Sequence, residues 1–301
     1  MTYSIVARDP KTGEFGAAVQ SHWFAAGYVC WAEAGVGAVA TQATIEVSYG
    51  PLGLERMRAG ESAGKTLRAL TDTDESAEHR QVAMVDREGR VATHTGARCI
   101  REAGHRTGDG FSVQANMMLR GTVWGAMHGA FRTAEGDLAD RLLTALDAAE
   151  AEGGDVRGRQ AARILVVRAE PSGRPWEETL VDLRLDDHPA PLPELRRLLE
   201  LKRAYDRLDV AEKLELAGDL DGALREQRVA LEAVPDNPEI AFWTAISLAT
   251  HGRVEDARET MAIAFRAHPG WVELLRRLTA DGFVEMPREA LAALLPGEGG
   301  A

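Results

Sequence analysis

The first 50 residues carry only six charged side chains, although 27% of the whole chain is charged. These six are Arg8, Asp9, Lys11, Glu14, Glu33 and Glu46. Such a scarcity of charge is typical of strands that are buried on both faces. The sequence therefore predicts that the chain opens with the core of a sheet.

Short apolar runs separated by turn residues continue to about residue 120. Residues 3–8 and 15–19 flank the turn residues 9–13, which predicts a hairpin. Similar runs predict strands at 35–42, 82–85, 90–93, 111–117, 162–169 and 180–185. Helical periodicity predicts one helix at 52–70 and another at 123–150. This order favours an α+β fold, with antiparallel sheets that carry helices on their outer faces.

A second, helical region follows a boundary that is rich in proline. Three prolines lie within residues 189–193, and proline stops a strand. Beyond the boundary, two segments share a pattern of small residues and proline at a spacing of 34 residues. The matched pairs are Gly218 and Gly252, Ala223 and Ala257, Ala230 and Ala264, and Pro235 and Pro269. The period is that of tetratricopeptide helix pairs, which predicts two domains, 1–200 and 201–301.

Two repeats are fewer than a stable array needs, so helices at 193–209 and 271–278 are expected to act as partners or caps. Two roles remain open for this tetratricopeptide-like region. It could bury part of the sheet domain or make the protein a homo-oligomer. It could instead offer a groove for a peptide of a partner protein.

The charge and cysteine content argue against several classes of protein. A net charge of -12 opposes binding to nucleic acid. The chain has no apolar run long enough for a membrane helix and no signal-peptide pattern at its start, so we expect a soluble cytoplasmic protein. Cys30 and Cys99 lack the spacing of a disulfide framework or a metal site. The eight histidines include no i, i+4 pair, and we expect neither a metal nor a cofactor.

Thr2 is the first candidate for catalysis. Methionine aminopeptidase removes Met1 efficiently before small residues, so the mature chain is expected to begin with Thr2. Its hydroxyl would be the nucleophile, and its α-amine, with a pKa of about 7.7–8.0, would be the base. Thr2 leads directly into an apolar strand, which would anchor the amine. The alternative is that threonine stands here only because initiation and processing favour it.

Six stretches within residues 1–200 resemble the bacterial and archaeal family called domain of unknown function 1028. They are residues 2–9, 18–21, 35–43, 48–51, 104–108 and 153–160. That family resembles the N-terminal nucleophile (Ntn) hydrolases. The resemblance implies a four-layer αββα sandwich over 1–200 and an amide hydrolase. Family members usually carry Asn where this chain has Glu46, and Ser where it has Ala161.

Within that frame, further polar residues are assigned to the site. Gln42 and Asn116 are candidate donors to an oxyanion, although Gln42 could equally satisfy the end of a strand and Asn116 could equally cap a turn. Gln114 lies two residues before Asn116, so it shares the same strand face and is a candidate for binding the substrate. Ser21 and His22 are expected to line the cleft, unless His22 is only structural. Asp155 could hold the α-ammonium and Arg157 a substrate carboxylate, or the two could form a salt bridge within their loop.

The leading hypothesis is an Ntn-type amidohydrolase that cleaves a linear amide or peptide-like bond through Thr2. The alternative is a catalytically silent protein that binds a small metabolite and recruits a partner through its helical repeats. Retention of Met1 would block the amine and favour the alternative.

Overall fold

The computed structural model of the chain describes residues 2–296. It contains two compact units, Met1–Arg197 and Leu198–Ala301. The division falls inside a single helix, Pro191–Leu216, which begins within the proline-rich segment and contains Pro191 and Pro193 in its first turn. Among the described residues, no helix combines the length and the apolar character that crossing a membrane requires.

Ten strands form two sheets in the first unit. The strands are β1 (Thr2–Arg8), β2 (Phe15–Ser21), β3 (Cys30–Glu33), β4 (Gly37–Ala43), β5 (Arg80–Asp86), β6 (Val91–Thr95), β7 (Gly104–Gly108), β8 (Phe111–Asn116), β9 (Ala161–Val167) and β10 (Thr179–Leu185). One sheet has the order β10-β9-β2-β1-β8-β7, and the other has the order β3-β4-β5-β6. Each pair of neighbouring strands is antiparallel, which confirms the predicted antiparallel sheets.

The two sheets pack face to face around small and β-branched side chains. Val6 and Val19 of the larger sheet meet Ala38, Ala40 and Val85 of the smaller one in a single buried cluster. Since side chains alternate along a strand, Thr2, Ser4 and Val6 point to the same inner face. Strand β1 lies between β2 and β8, so the inner face around Thr2 is surrounded by other strands.

Two helix pairs cover the outer faces of the sheets. Helices α1 (Tyr49–Arg58) and α2 (Ala63–Thr71) pack on the smaller sheet through Leu54, Met57 and Leu67. Helices α3 (Val123–Thr133) and α4 (Leu138–Ala151) contact the larger sheet. The layers therefore run helix, sheet, sheet, helix.

Each of the two long helices predicted for this unit is in fact a pair. Gly60, with φ +93°, separates α1 from α2, and Gly136, with φ +92°, separates α3 from α4. Glycine adopts this left-handed backbone at no steric cost, and the chain can turn there. Periodicity alone does not reveal such a break, because the apolar pattern resumes after the turn.

Strands β3 and β7 were not predicted from the sequence. The β7 sequence GHRTG is polar and half-exposed, so it has no apolar alternation. It pairs with β8 at the edge of the larger sheet. The segment forms a strand because it pairs with β8, and not because its own sequence has a strand pattern.

The second unit is built from helices. They are α5 (Pro191–Leu216), α6 (Leu220–Ala233), α7 (Pro238–Thr250), α8 (Val254–Ala267), α9 (Gly270–Ala280) and α10 (Arg288–Leu294). Shifting the limits of α6 by 34 residues gives those of α8, and the same shift moves the end of α5 onto the end of α7. The four repeated alanines, Ala223, Ala230, Ala257 and Ala264, are each fully buried.

Candidate functional site

A cluster of polar side chains lies between the two sheets at the Thr2 end of β1. Its members from the larger sheet are Thr2, Ser4, Ser21, Gln114 and Asn116. Gln42 and Gln81 complete it from the smaller sheet. The register places Asn116 beside Thr2 and Gln114 beside Ser4. Each of these side chains is at most 5% exposed, so its hydrogen bonds are made within the protein. Gln114 Oε1 and Asn116 Oδ1 accept from no group in residues 2–296.

Two amide side chains hold the backbone carbonyl of Thr2. Gln42 Nε2 donates to the Thr2 oxygen at 3.0 Å, and Asn116 Nδ2 donates to the same oxygen at 3.3 Å. Gln42 belongs to the smaller sheet and Asn116 to the larger one. The first residue of β1 is therefore tied to both sheets.

Gln81 is the shared acceptor for the same two amides. Its Oε1 accepts from Gln42 Nε2 at 2.6 Å and from Asn116 Nδ2 at 3.1 Å. A carboxamide nitrogen has two hydrogens, and both hydrogens of each donor are now used. In this arrangement neither amide has a hydrogen left for an oxyanion. Gln42 and Asn116 thus fit the role of positioning residues better than the oxyanion role assigned to them from sequence.

The hydroxyl of Thr2 lies beside that of Ser21. The two oxygens are 3.0 Å apart, and either could be the donor. Thr2 and Ser21 are direct partners in the β1–β2 register, which brings their side chains to the same face. A neighbouring hydroxyl can orient a nucleophilic oxygen and accept or pass on its proton.

Gln114 is joined to the cluster through Ser4. Gln114 Nε2 donates to Ser4 Oγ at 3.2 Å and to the carbonyl of Ala40 at 3.2 Å. Ser4 Oγ in turn donates to Gln42 Oε1 at 2.7 Å. Gln114 is therefore linked to Gln42 through the Ser4 hydroxyl, and its amide does not contact the Thr2 hydroxyl directly.

The Asp155 carboxylate stabilises the loop that lies next to the ends of β2 and β8. Its carboxylate accepts from the backbone N–H of His22 at 3.1 Å and from that of Arg157 at 2.9 Å. It also forms an ion pair with the Arg157 guanidinium at 3.2 Å. This geometry favours the salt-bridge alternative for Asp155 and Arg157. The His22 ring lies 3.4 Å from the carbonyl oxygen of Arg159, in keeping with a structural role.

The backbone is left-handed next to both amides that hold Thr2. Ala43, directly after Gln42, has φ +69°, and Met117, directly after Asn116, has φ +57°. Each such residue with a Cβ costs about 1–2 kcal/mol. Strain of this kind persists where the surrounding contacts fix the chain, and here it coincides with the ends of the two strands that grip Thr2.

The two departures from the family pattern lie at different distances from this cluster in the fold. Glu46 accepts from the backbone N–H of Ser48 at 3.0 Å, which lowers the pKa of its carboxyl and organises the start of α1. Ala161 is fully buried and pairs with Ser21 in the β2–β9 register. The substitution at 161 is therefore the one that lies beside the Thr2–Ser21 pair.

Three members of this region were missed by sequence reasoning. Gln81 and Ser4 lie within apolar strands, and this shared feature could have indicated them, as it did for Gln42. Tyr3 lies on the opposite face of β1, where its hydroxyl is 2.5 Å from both Gln20 Oε1 and Glu150 Oε1. Burial, followed by the charge of Glu150, raises the pKa of Tyr3 well above its usual value. Tyr3 thereby ties β1 to α4.

Within residues 2–296, no three metal-ligating side chains of the His, Cys, Asp or Glu type converge on one point. The buried polar side chains around Thr2 are hydroxyls and amides. The site has the character of a rigid, hydrogen-bonded support for the first residue of a strand.

Comparisons with known proteins find relatives of the first unit of the chain. The model of a family of unknown function, DUF1028, matches residues 2–195. The crystal structure of protein SPO2555 from Silicibacter pomeroyi, described as a DUF1028 protein, is similar, with 31% sequence identity and a TM-score of 0.59. That similarity covers 66% of this chain and 88% of the other. No curated protein matches the chain. The predicted resemblance to domain of unknown function 1028 is confirmed, and the chain belongs to the DUF1028 family.

Proposed function

We propose that the DUF1028 unit is an Ntn-type amidohydrolase in which Thr2 attacks a linear amide or peptide-like bond. The observation that carries this proposal is that the side chains of Gln42 and Asn116 both donate a hydrogen bond to the Thr2 carbonyl. A buried carbonyl needs a hydrogen-bond donor in any protein, but here two side chains from different sheets donate to the same oxygen. Such bonds fix the first residue of the strand, and a nucleophile needs to be held in one orientation.

The fold gives further support. The helix, sheet, sheet, helix order of layers is the order expected of an Ntn-hydrolase-like sandwich. The shift of 34 residues between matching helix ends supports a tetratricopeptide-like second unit. The two free cysteines, Cys30 and Cys99, fit a reducing compartment such as the cytoplasm.

The proposed reaction begins when the Thr2 hydroxyl oxygen bonds to the carbonyl carbon of the amide. Its proton passes to the α-amine of Thr2, either directly or through the Ser21 hydroxyl 3.0 Å away. The C–N bond then breaks, and the departing amine takes that proton. Water hydrolyses the resulting ester and restores the Thr2 hydroxyl. Gln42, Asn116 and Gln81 act as positioning residues.

The test combines intact mass with an electrophile. The mature protein is expected to lack Met1 and to form one covalent adduct with a β-lactone, mapped to Thr2 by peptide mass spectrometry. A panel of N-acyl amino acid amides and dipeptides is then assayed for amine release. Thr2→Ala should abolish both labelling and turnover, and Ser21→Ala should slow both.

Thr12→Ala is the matched control, because Thr12 is exposed and its hydroxyl interacts with Glu14, its neighbour in the turn. It should label and turn over like the parent protein. Thermal unfolding of Thr2→Ala should show that the fold is intact. Retained Met1, or equal labelling and turnover in Thr2→Ala, would overturn the proposal in favour of a non-catalytic binding protein.

A further inference from the structure

The helical unit contains a cleft of about 550 Å³ that is separate from the Thr2 cluster. It is lined by residues of α5, α6 and α7 and by the segment 283–285. Its size lies within the range of roughly 300–1,000 Å³ that is usual for ligand pockets.

All the charged side chains that line this cleft are acidic, and we call it the acidic cleft. Its lining includes five carboxylates, from Asp209, Glu212, Glu215, Glu239 and Glu285, but no lysine, arginine or histidine. Among residues 2–296, none of these five has a basic partner within ion-pair distance. Many other carboxylates of the chain are paired, for example Glu226 with Arg207 in the same unit. The cleft thus concentrates negative charge that the fold leaves unneutralised.

A second feature, independent of charge, is an unfilled acceptor in the wall. Gln227 lines the cleft and is only 5% exposed. Its Nε2 donates to Glu215 Oε1 at 3.1 Å, which fixes the orientation of the amide. Its Oε1 accepts from no group in the described part of the chain. Ser247 also donates to Glu215, so the carboxylate is held in place. A buried acceptor beside an oriented carboxylate is a site for an N–H donor.

Aromatic rings complete the lining. Tyr205, Trp243 and Phe283 all border the cleft, and Phe283 is 76% exposed. Aromatic faces attract ammonium and guanidinium groups, and they also cover the methylene stem that carries such a group. Tyr205 donates to Glu239 Oε2 at 2.8 Å, so ring and carboxylate are held together.

We propose that the acidic cleft binds a basic segment of a partner protein, with a lysine or arginine side chain donating to Glu215 and Gln227. Five carboxylates exceed what one cation neutralises, so the occupant carries several basic residues. The apolar side chains of Leu208, Ile246 and Val284 in the same lining favour a peptide with apolar residues between its cations. This inference does not rest on catalysis at Thr2.

The test uses the full chain and a fluorescent nonapeptide in which lysine and arginine alternate with leucine. Fluorescence anisotropy should show saturable binding. A peptide with citrulline and norleucine in place of the cations should bind at least about tenfold more weakly. Glu215→Gln and Phe283→Ala should each weaken the basic peptide, the former by about tenfold.

Glu232→Gln is the matched control, because Glu232 is an exposed carboxylate of α6 outside the cleft lining. It should bind like the parent, and so should Thr2→Ala. Thermal unfolding should confirm that each variant is folded. Equal binding of the neutral peptide, equal loss in Glu215→Gln and Glu232→Gln, or binding of spermine but of no peptide would overturn the proposal.

Discussion

Gln42 Nε2 lies 3.0 Å from the backbone carbonyl oxygen of Thr2, although 40 residues separate the two in the chain. The bond crosses from the smaller sheet to the larger one, and it is buried. It links the packing of the two sheets to the orientation of the candidate nucleophile. Changes in the amide cluster should therefore affect both stability and any chemistry at Thr2.

The shared acceptor should be the most costly member of the cluster to lose. Replacing Gln81 with Met keeps the volume but leaves one hydrogen each of Gln42 and Asn116 without an acceptor. Each buried orphan costs about 1–3 kcal/mol, so the free energy of unfolding should fall by about 2 kcal/mol or more. Urea unfolding followed by circular dichroism measures this change.

Two comparison variants sharpen that result. Asn116→Leu removes one of two donors to the Thr2 carbonyl while Gln42 remains, so it should cost less than Gln81→Met. Gln160→Met removes a hydrogen bond at the surface, to Asp187, and should change stability by no more than about 0.5 kcal/mol. Equal effects of Gln81→Met and Gln160→Met would show that the cluster contributes no stability.

Asp74 should make stability depend on pH in acid. Arg80 donates to its carboxylate at 2.8 Å, and this bond holds the pKa of Asp74 below its usual range. Because the folded-state pKa is lowered, the stabilisation is present above the unfolded-state pKa of about 3.9 and is lost as the pH falls through the folded-state value.

Asp74→Asn should therefore be less stable than the parent above about pH 5, and the difference should shrink below about pH 4. Melting temperatures from pH 3 to 7 test this expectation. Asp72→Asn, at an exposed neighbour, is the control and should follow the parent at every pH. A difference for Asp74→Asn that grows in acid would contradict the assigned direction.

Cys30 should be inert in the native protein. It is fully buried, and burial raises the pKa of its thiol to about 12, so the reactive thiolate is scarce near neutral pH. In a Cys99→Ser variant, Ellman's reagent should find no fast thiol at pH 8 and one equivalent after unfolding in guanidinium. If one equivalent of thiol reacted rapidly in the native protein, Cys30 would again be a candidate nucleophile.

The same substitution at two glycines should have opposite effects. Gly252 follows α7 with φ +77°, and a Cβ there would meet no neighbour, so Gly252→Ala should cost about 1 kcal/mol through backbone strain alone. Gly129 lies inside α3, where a Cβ also meets nothing, and Gly129→Ala should stabilise by about 0.5–1 kcal/mol. Denaturant unfolding of each variant gives the sign.

The local sequence pattern was sufficient to predict much of the fold. The charge-poor start predicted buried strands, and β1 and β2 are buried almost throughout. The alternation in residues 111–117 placed Gln114 and Asn116 on one face, where the structure has them. The helix breaks at Gly60 and Gly136 were missed, since the apolar period on either side gives no sign of a turn.

The sequence by itself determined that the chain opens with buried strands, that a helical region follows the prolines, and that Thr2 leads into the core, because periodicity and charge act over a few residues. Only the tertiary structure decided that Gln42 and Asn116 both donate to the Thr2 carbonyl and that Gln81 accepts from both amides. These residues come from three strands in two sheets, and a contact between sheets depends on register and packing that no local pattern encodes. The acidic cleft of the second unit is likewise visible only once α5, α6 and α7 are packed, because its carboxylates are spread over residues 209–285.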